Sequence, residues 1–194
     1  MIKNKSNLKL KKYQTRKFDY YKTLNEYYLE NNEAYISIKV DSINDIISKY
    51  SIKNDEILNY EFMRYLETNA SYIPSKYKLV LEICNHKFTD KEKQIIEKVI
   101  RNHYGISLIN KKEELNLSKR KGLFLLITGL ISLLIFSILL YSNILSVLQE
   151  ICSLLFCFAL WEYAESKIFT DDELKEEILD LKNLSEIKII FKED

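Results

Sequence analysis

Glycine and proline are nearly missing from this chain: three glycines and one proline stand among 194 residues. That scarcity excludes the phosphate-cradling loops, because neither G-x-G-x-x-G nor G-x-x-x-x-G-K can be written anywhere in it. Cysteine is scarce too. Cys84, Cys152 and Cys157 are too few and too scattered for a disulfide scaffold, and two of them fall in an apolar segment. The soluble part therefore reads as reduced and intracellular. His86 and His103 are the only histidines. Cys84-x-His86 offers two ligands where a zinc site needs three or four, so no metal is assigned. No cofactor and no catalytic residue is assigned either; a Cys84 pair with His86 or His103 has only geometry in its favour. The opening MIKNKSNLKLKKYQTRKF has no apolar run behind its positive charges and does not read as a signal peptide.

Charge is balanced overall, at a formal +1, but not along the chain. Residues 1–22 hold eight Lys or Arg against Asp19 alone, whereas residues 170–194 hold nine acids against four lysines. A basic arm over 1–19 can lie on anionic lipid, pair with the acidic tail or stay solvated. Nucleic acid is disfavoured as a partner, since no zinc finger, RNA-binding aromatic signature or basic recognition helix accompanies the arm. Twelve of the fourteen tyrosines lie in the first 104 residues. Tyrosine suits a binding face, but core or core-rim use is the heavier expectation.

The strongest signal is GLFLLITGLISLLIFSILLY, residues 122–141, which is free of charge. Twenty helical residues rise about 30 Å, the thickness of a bilayer's hydrocarbon core. Lys119, Arg120 and Lys121 stand before it and Tyr141 ends it, a basic cytoplasmic flank and an interfacial aromatic. Ser142 and Asn143 make the natural turn, and a return span over 144–164 brings Trp161 back to the depth of Gly122. The expectation is a transmembrane hairpin over 119–165, with both termini on the cytoplasmic side of a cell inner membrane. A soluble chain of this size has too little protein to wrap such a segment.

Glu150 interrupts the return span about 9 Å below the turn by helical rise. Ser146, Glu150, Ser153 and Cys157 follow at helical spacing and form one stripe. Thr128, Ser132 and Leu139 share a face on the first span, with Gly129 beside it, and folding about the turn places Cys157 level with Thr128 and Ser153 level with Ser132. Two readings stay open. Glu150 caps a polar seam inside the hairpin, or it faces an oligomer interface or a water-filled path. Glu162 and Glu165 lie where Lys119, Arg120 or Lys121 can reach them, so interfacial ion pairs are expected.

Residues 20–118 read as a cytoplasmic domain. Tyr20 to Leu29 has helical spacing, AYISIKV (34–40) alternates as a strand, and KLVLEIC (78–84) is a second strand. Between them Ser42 and Asp45 can cap a short helix bearing Ile43, Ile46 and Ile47, and a helix covers about 59–69. Thr89-Asp90-Lys91-Glu92 is a capping box opening a helix with Ile95, Ile96, Val99 and Ile100; Gly105 is its expected end, with a short strand at 106–109. Thr170-Asp171-Asp172-Glu173 repeats the box, and EIKIIFK (186–192) alternates as a terminal strand. An open edge invites aggregation, so this strand is expected to return to the sheet. The fold class is thus an α+β cytoplasmic domain with a small mixed sheet, interrupted by an inserted two-helix transmembrane hairpin. Residues 166–194 supply the returning acidic helix and strand.

Residues 72–105 and the ending FCFALWEYAESKIF (156–169) resemble a group of bacterial two-span membrane proteins with small cytoplasmic α/β domains. In these an L-x-L-E-I-x strand precedes an F-T/S-x-x-E helix, and the second span closes in a W-E-x-x-E-like sequence. The matching positions are Leu79, Leu81, Glu82, Ile83, Phe88, Thr89, Glu92, Trp161, Glu162 and Glu165. The resemblance implies topology and no activity, and the acidic tail departs from it. The leading expectation is a non-enzymatic membrane protein whose cytoplasmic domain binds a protein or small ligand. The competing readings are an oligomerising, membrane-disrupting or channel-like effector with a sensing domain, and a membrane-tethered enzyme.

Overall fold

The computed structural model describes residues 29–30, 32–84, 87–142 and 146–192. The basic arm and the expected Tyr20–Leu29 helix lie outside these residues, apart from Leu29 itself, as do Asn143 of the expected turn and His86. The chain divides into two units by contact, one made of residues up to Ile109 together with Ile178–Asp194, the other of Asn110–Glu177.

The first unit is built on a four-stranded sheet in the order β1 (Leu29–Glu30), β2 (Glu33–Lys39), β3 (Lys78–Cys84), β4 (Lys188–Lys192). β1 runs antiparallel to β2, whereas β2 and β4 flank β3 in parallel. The terminal strand therefore does return to the sheet, with Leu81 opposite Ile189 and Ile83 opposite Phe191. Alternation puts Ala34, Ile36, Leu79, Leu81 and Ile83 on one buried face. Against that face pack Phe62, Leu66 and Ala70 of α1 (Tyr60–Ser71), then Ile96, Val99, Ile100 and Tyr104 of α2 (Asp90–Ser142), and finally Leu184 and Ile187. β3 is buried on both faces, including Val80 and Glu82, as a central parallel strand requires. Glu82 is not left bare: it accepts from Ser37 Oγ on β2 at 2.9 Å and from Lys192 Nζ on β4 at 2.6 Å. A polar row thus crosses three strands and fixes their register.

Asn59 caps α1 by accepting from Glu61 N at 2.9 Å. The expected short helix after Ser42 is a single 3-10 turn, Ile43–Asp45, whose Asp45 carboxylate accepts from the Asp41 and Ser42 amides. The Thr89 box forms as expected, with Thr89 N donating to Glu92 at 2.8 Å and Glu92 N to Thr89 Oγ1 at 3.4 Å.

Three local expectations are corrected. Gly105 does not end its helix and 106–109 is not a strand, because α2 continues without a break to Ser142. One helical glycine costs only about 1 kcal/mol, too little to stop a helix packed or solvated favourably on either side of it. Thr170–Glu173 is not a helix start: α3 (Ser146–Glu165) passes through a π-helical turn, Ser166–Thr170, into α4 (Asp171–Ser185). A capping box needs a chain arriving from a non-helical conformation, and here it arrives already helical.

The second unit is the pairing of the later part of α2 with α3 and the start of α4. In the most apolar window of each helix only 11% of the residues are buried. Leu123, Phe124, Ile127, Leu130, Leu134 and Ile138 on α2, and Leu154, Leu155 and Phe158 on α3, point away from protein. Helices this apolar and this uncovered need lipid around them. The protein crosses the membrane twice, with its α+β domain on the cytoplasmic side.

Candidate functional site

Four contacts define the line along which the spans meet. Gly122 faces Tyr163 and Ser166, and Gly129 faces Ala159 and Phe156. Ser132 Oγ donates to the Cys152 carbonyl at 2.9 Å, and Gln149 Nε2 donates to the Leu139 carbonyl at 3.0 Å. On α3 this contact line runs through Gln149, Cys152, Phe156, Ala159 and Tyr163, in steps of three and four as a continuous helix face requires. Small residues set the approach: a Cβ built on Gly129 would stand 3.3 Å from that of Ala159.

The spans meet at the depths a tight turn predicts, but on a different face of α3. Ser132 is buried in the contact. Thr128 is not, and its hydroxyl returns to the Phe124 carbonyl of its own helix at 2.9 Å. Glu150 and Cys157 are exposed, Ser153 is half-buried, and the Ser146 side chain lies outside the described residues. The expected seam is therefore corrected: one residue along a helix turns the face by about 100°, and the Gly129–Ala159 approach selects the neighbouring stripe. Glu150 and Ser153 line an open groove of about 550 Å³ with Phe136, Leu140, Gln149 and Leu154. Tyr141 and Trp161 are exposed at opposite ends of the hairpin.

Below the spans lies a polar cluster that sequence reasoning missed. Asp171 is 1% exposed, accepting from Ser118 Oγ at 2.9 Å and from Lys167 Nζ at 2.7 Å. Burial pushes this carboxyl upward, but the Lys167 and Ser118 hydrogen bonds outweigh it and hold it below the ordinary aspartate value. Ser118 spends its proton on Asp171, so Ser166 donates across the 3.3 Å contact between the two hydroxyls. Lys111 ties α2 to Glu177 at 2.7 Å, and the hydrogen bonds it donates to Glu177 and Glu114 raise its pKa above the ordinary lysine value. Among the described residues no ion pair joins Lys119, Arg120 or Lys121 to Glu162 or Glu165. The acidic partner of the interface is Asp171 instead. Its signal in sequence was faint: Ser118 and Asp171 stand at matched distances from the hairpin turn.

In the first unit a cleft of about 250 Å³ lies between residues 54–58 and α2, lined by Asp55, Lys98, Asn102 and His103 among others. Beside it Tyr104 is fully buried with no hydrogen-bond partner for its hydroxyl, and burial followed by the nearby Glu67 charge raises that hydroxyl well above the usual tyrosine range. Among the described residues no group of three His, Cys, Asp or Glu is placed to hold a metal ion. Compared with known proteins, the chain matches no family model, no curated protein and no solved structure.

Proposed function

We propose that this is a membrane-anchored assembly protein whose hairpins associate in the bilayer and gather their cytoplasmic domains for partner binding. One observation carries the reading: Glu150 faces outward from the helix pair instead of into it. A carboxyl facing lipid is costly, and hydrogen bonding to a neighbouring helix is the usual relief. A second copy offers the Ser153 hydroxyl within about one helical turn of that depth, a donor to the Glu150 carboxyl. The cytoplasmic domain is then the partner-binding part, brought to high local concentration by assembly.

Energy transfer between labelled full-length chains in vesicles tests this. Glu150→Ala lowers the association constant roughly tenfold, about one charge-assisted hydrogen bond, while Glu150→Gln keeps much of it. Equal association of wild type and Glu150→Ala overturns the proposal. Dye leakage that rises with association and falls in Glu150→Ala turns the reading to a channel-like effector.

A further inference from the structure

A cleft of about 320 Å³ opens within the second unit beside the π-helical turn. That is the lower end of the range for small-molecule sites, roughly 300–1,000 Å³. Gly122 lines the α2 wall of the cleft at ordinary contact distance from α3, a Cβ there standing 3.6 Å from Tyr163. The cleft has a direction. Leu125 and Gly122 line one end, within the uncharged run, while Ser118 and Thr170 line the other, beyond Lys121, the last charge before the span. It therefore straddles the boundary between hydrocarbon and headgroups.

We propose that this cleft binds a phospholipid with an ethanolamine headgroup. Its two uncommitted charges are Lys121 and Glu162, neither of which has an ion pair among the described residues; Glu114, which also lines it, is held by Lys111 at 2.9 Å. One cation and one anion at a single site call for a zwitterion. The phosphate takes its donors from Lys121 and the Thr170 hydroxyl. The ammonium takes its acceptors from Glu162 and from the hydroxyl lone pairs of Ser118 and Ser166, whose protons are already used. A choline group has no N–H to donate, and a glycerol headgroup carries no cation for Glu162. The apolar end fits the glycerol backbone and the start of the acyl chains, which a free phosphoamine lacks.

The full chain, reconstituted in nanodiscs of equal parts ethanolamine, choline and glycerol phospholipids, is extracted and its retained lipid quantified by mass spectrometry. The expected result is roughly tenfold enrichment of the ethanolamine lipid, as one charge-assisted hydrogen bond supplies. Lys121→Gln and Glu162→Gln each abolish the enrichment, while Lys119→Gln, in the same basic triplet but off the cleft, leaves it intact. No headgroup preference in the wild type, a preference for the glycerol lipid, or equal loss in Lys119→Gln overturns the proposal. Displacement of the lipid by millimolar soluble phosphoethanolamine overturns the assignment to lipid in favour of a free zwitterion.

Discussion

All three glycines of the chain lie in α2, and each meets a different environment, so a series of alanine substitutions separates propensity from packing. A glycine inside a helix costs about 0.8–1.0 kcal/mol relative to alanine. Around Gly105 nothing lies within 4 Å of an added Cβ, so Gly105→Ala gains that full amount. Gly122→Ala meets Tyr163 at 3.6 Å, an ordinary contact, and gains nearly as much. Gly129→Ala meets the Ala159 Cβ at 3.3 Å and Phe156 beyond it. The helices must separate by a few tenths of an ångström, and overpacking of this kind costs about 1–3 kcal/mol, which cancels or exceeds the gain. Thermal unfolding of the full chain in one detergent reads the series, at about 2–4 °C per kcal/mol for a chain of this length. Gly105→Ala and Gly122→Ala are expected to raise the midpoint, and Gly129→Ala to leave it unchanged or lower it. Ala159→Gly, costly alone, should offset Gly129→Ala in the double variant, with a coupling of about 0.5–3 kcal/mol. If Gly129→Ala stabilises as much as Gly105→Ala, or Ala159→Gly shows no coupling to it, the close approach of the spans is wrong.

The face of α3 is testable with the native thiols. Ser132→Cys should cross-link oxidatively to Cys152 in a Cys157→Ser background and fail to do so in a Cys152→Ser background; a Thr128→Cys link to Cys157 in the Cys152→Ser background would instead restore the Cys157 stripe as the seam. Asp171 makes a pH prediction. Its carboxyl is held below the ordinary 3.8, so it stabilises the fold above that value, and the contribution fades as pH falls through the lower folded value. Asp171→Asn should therefore be destabilised relative to wild type at neutral pH, with the difference narrowing in denaturation midpoints measured below pH 4. A constant difference across that range would remove the carboxylate from the explanation.

Strands β2, β3 and β4 were legible because each alternates over five or more residues, and the start of α2 because Thr89 and Glu92 satisfy each other's backbone partners locally. The hairpin was legible in composition, and its depth followed from the position of the turn. Its rotation did not follow. Gly129 stood beside the expected face of the first span, but serine, cysteine and glutamate marked the wrong stripe of the second, where Ala159 decides the approach and looks inert in a one-dimensional pattern. The Thr170–Glu173 box misled for a related reason. Local sequence records which residues can cap a helix, not whether the chain is already helical when it reaches them. Asp171 then takes a role set by Ser118, a residue on another helix.

The central strand β3 waits for its second neighbour. Between Cys84 and Lys188 the ribosome must make both spans and their connection, roughly 5 to 20 s of synthesis at ordinary rates. Throughout that interval one edge of Leu79–Ile83 has no native strand to pair with, and the loop that must close is long. Synthesis of the hairpin thus precedes completion of the sheet. Until the terminal strand arrives, that apolar edge is open to other chains, so the interval in which both spans are made is the one in which the cytoplasmic domain is exposed to aggregation.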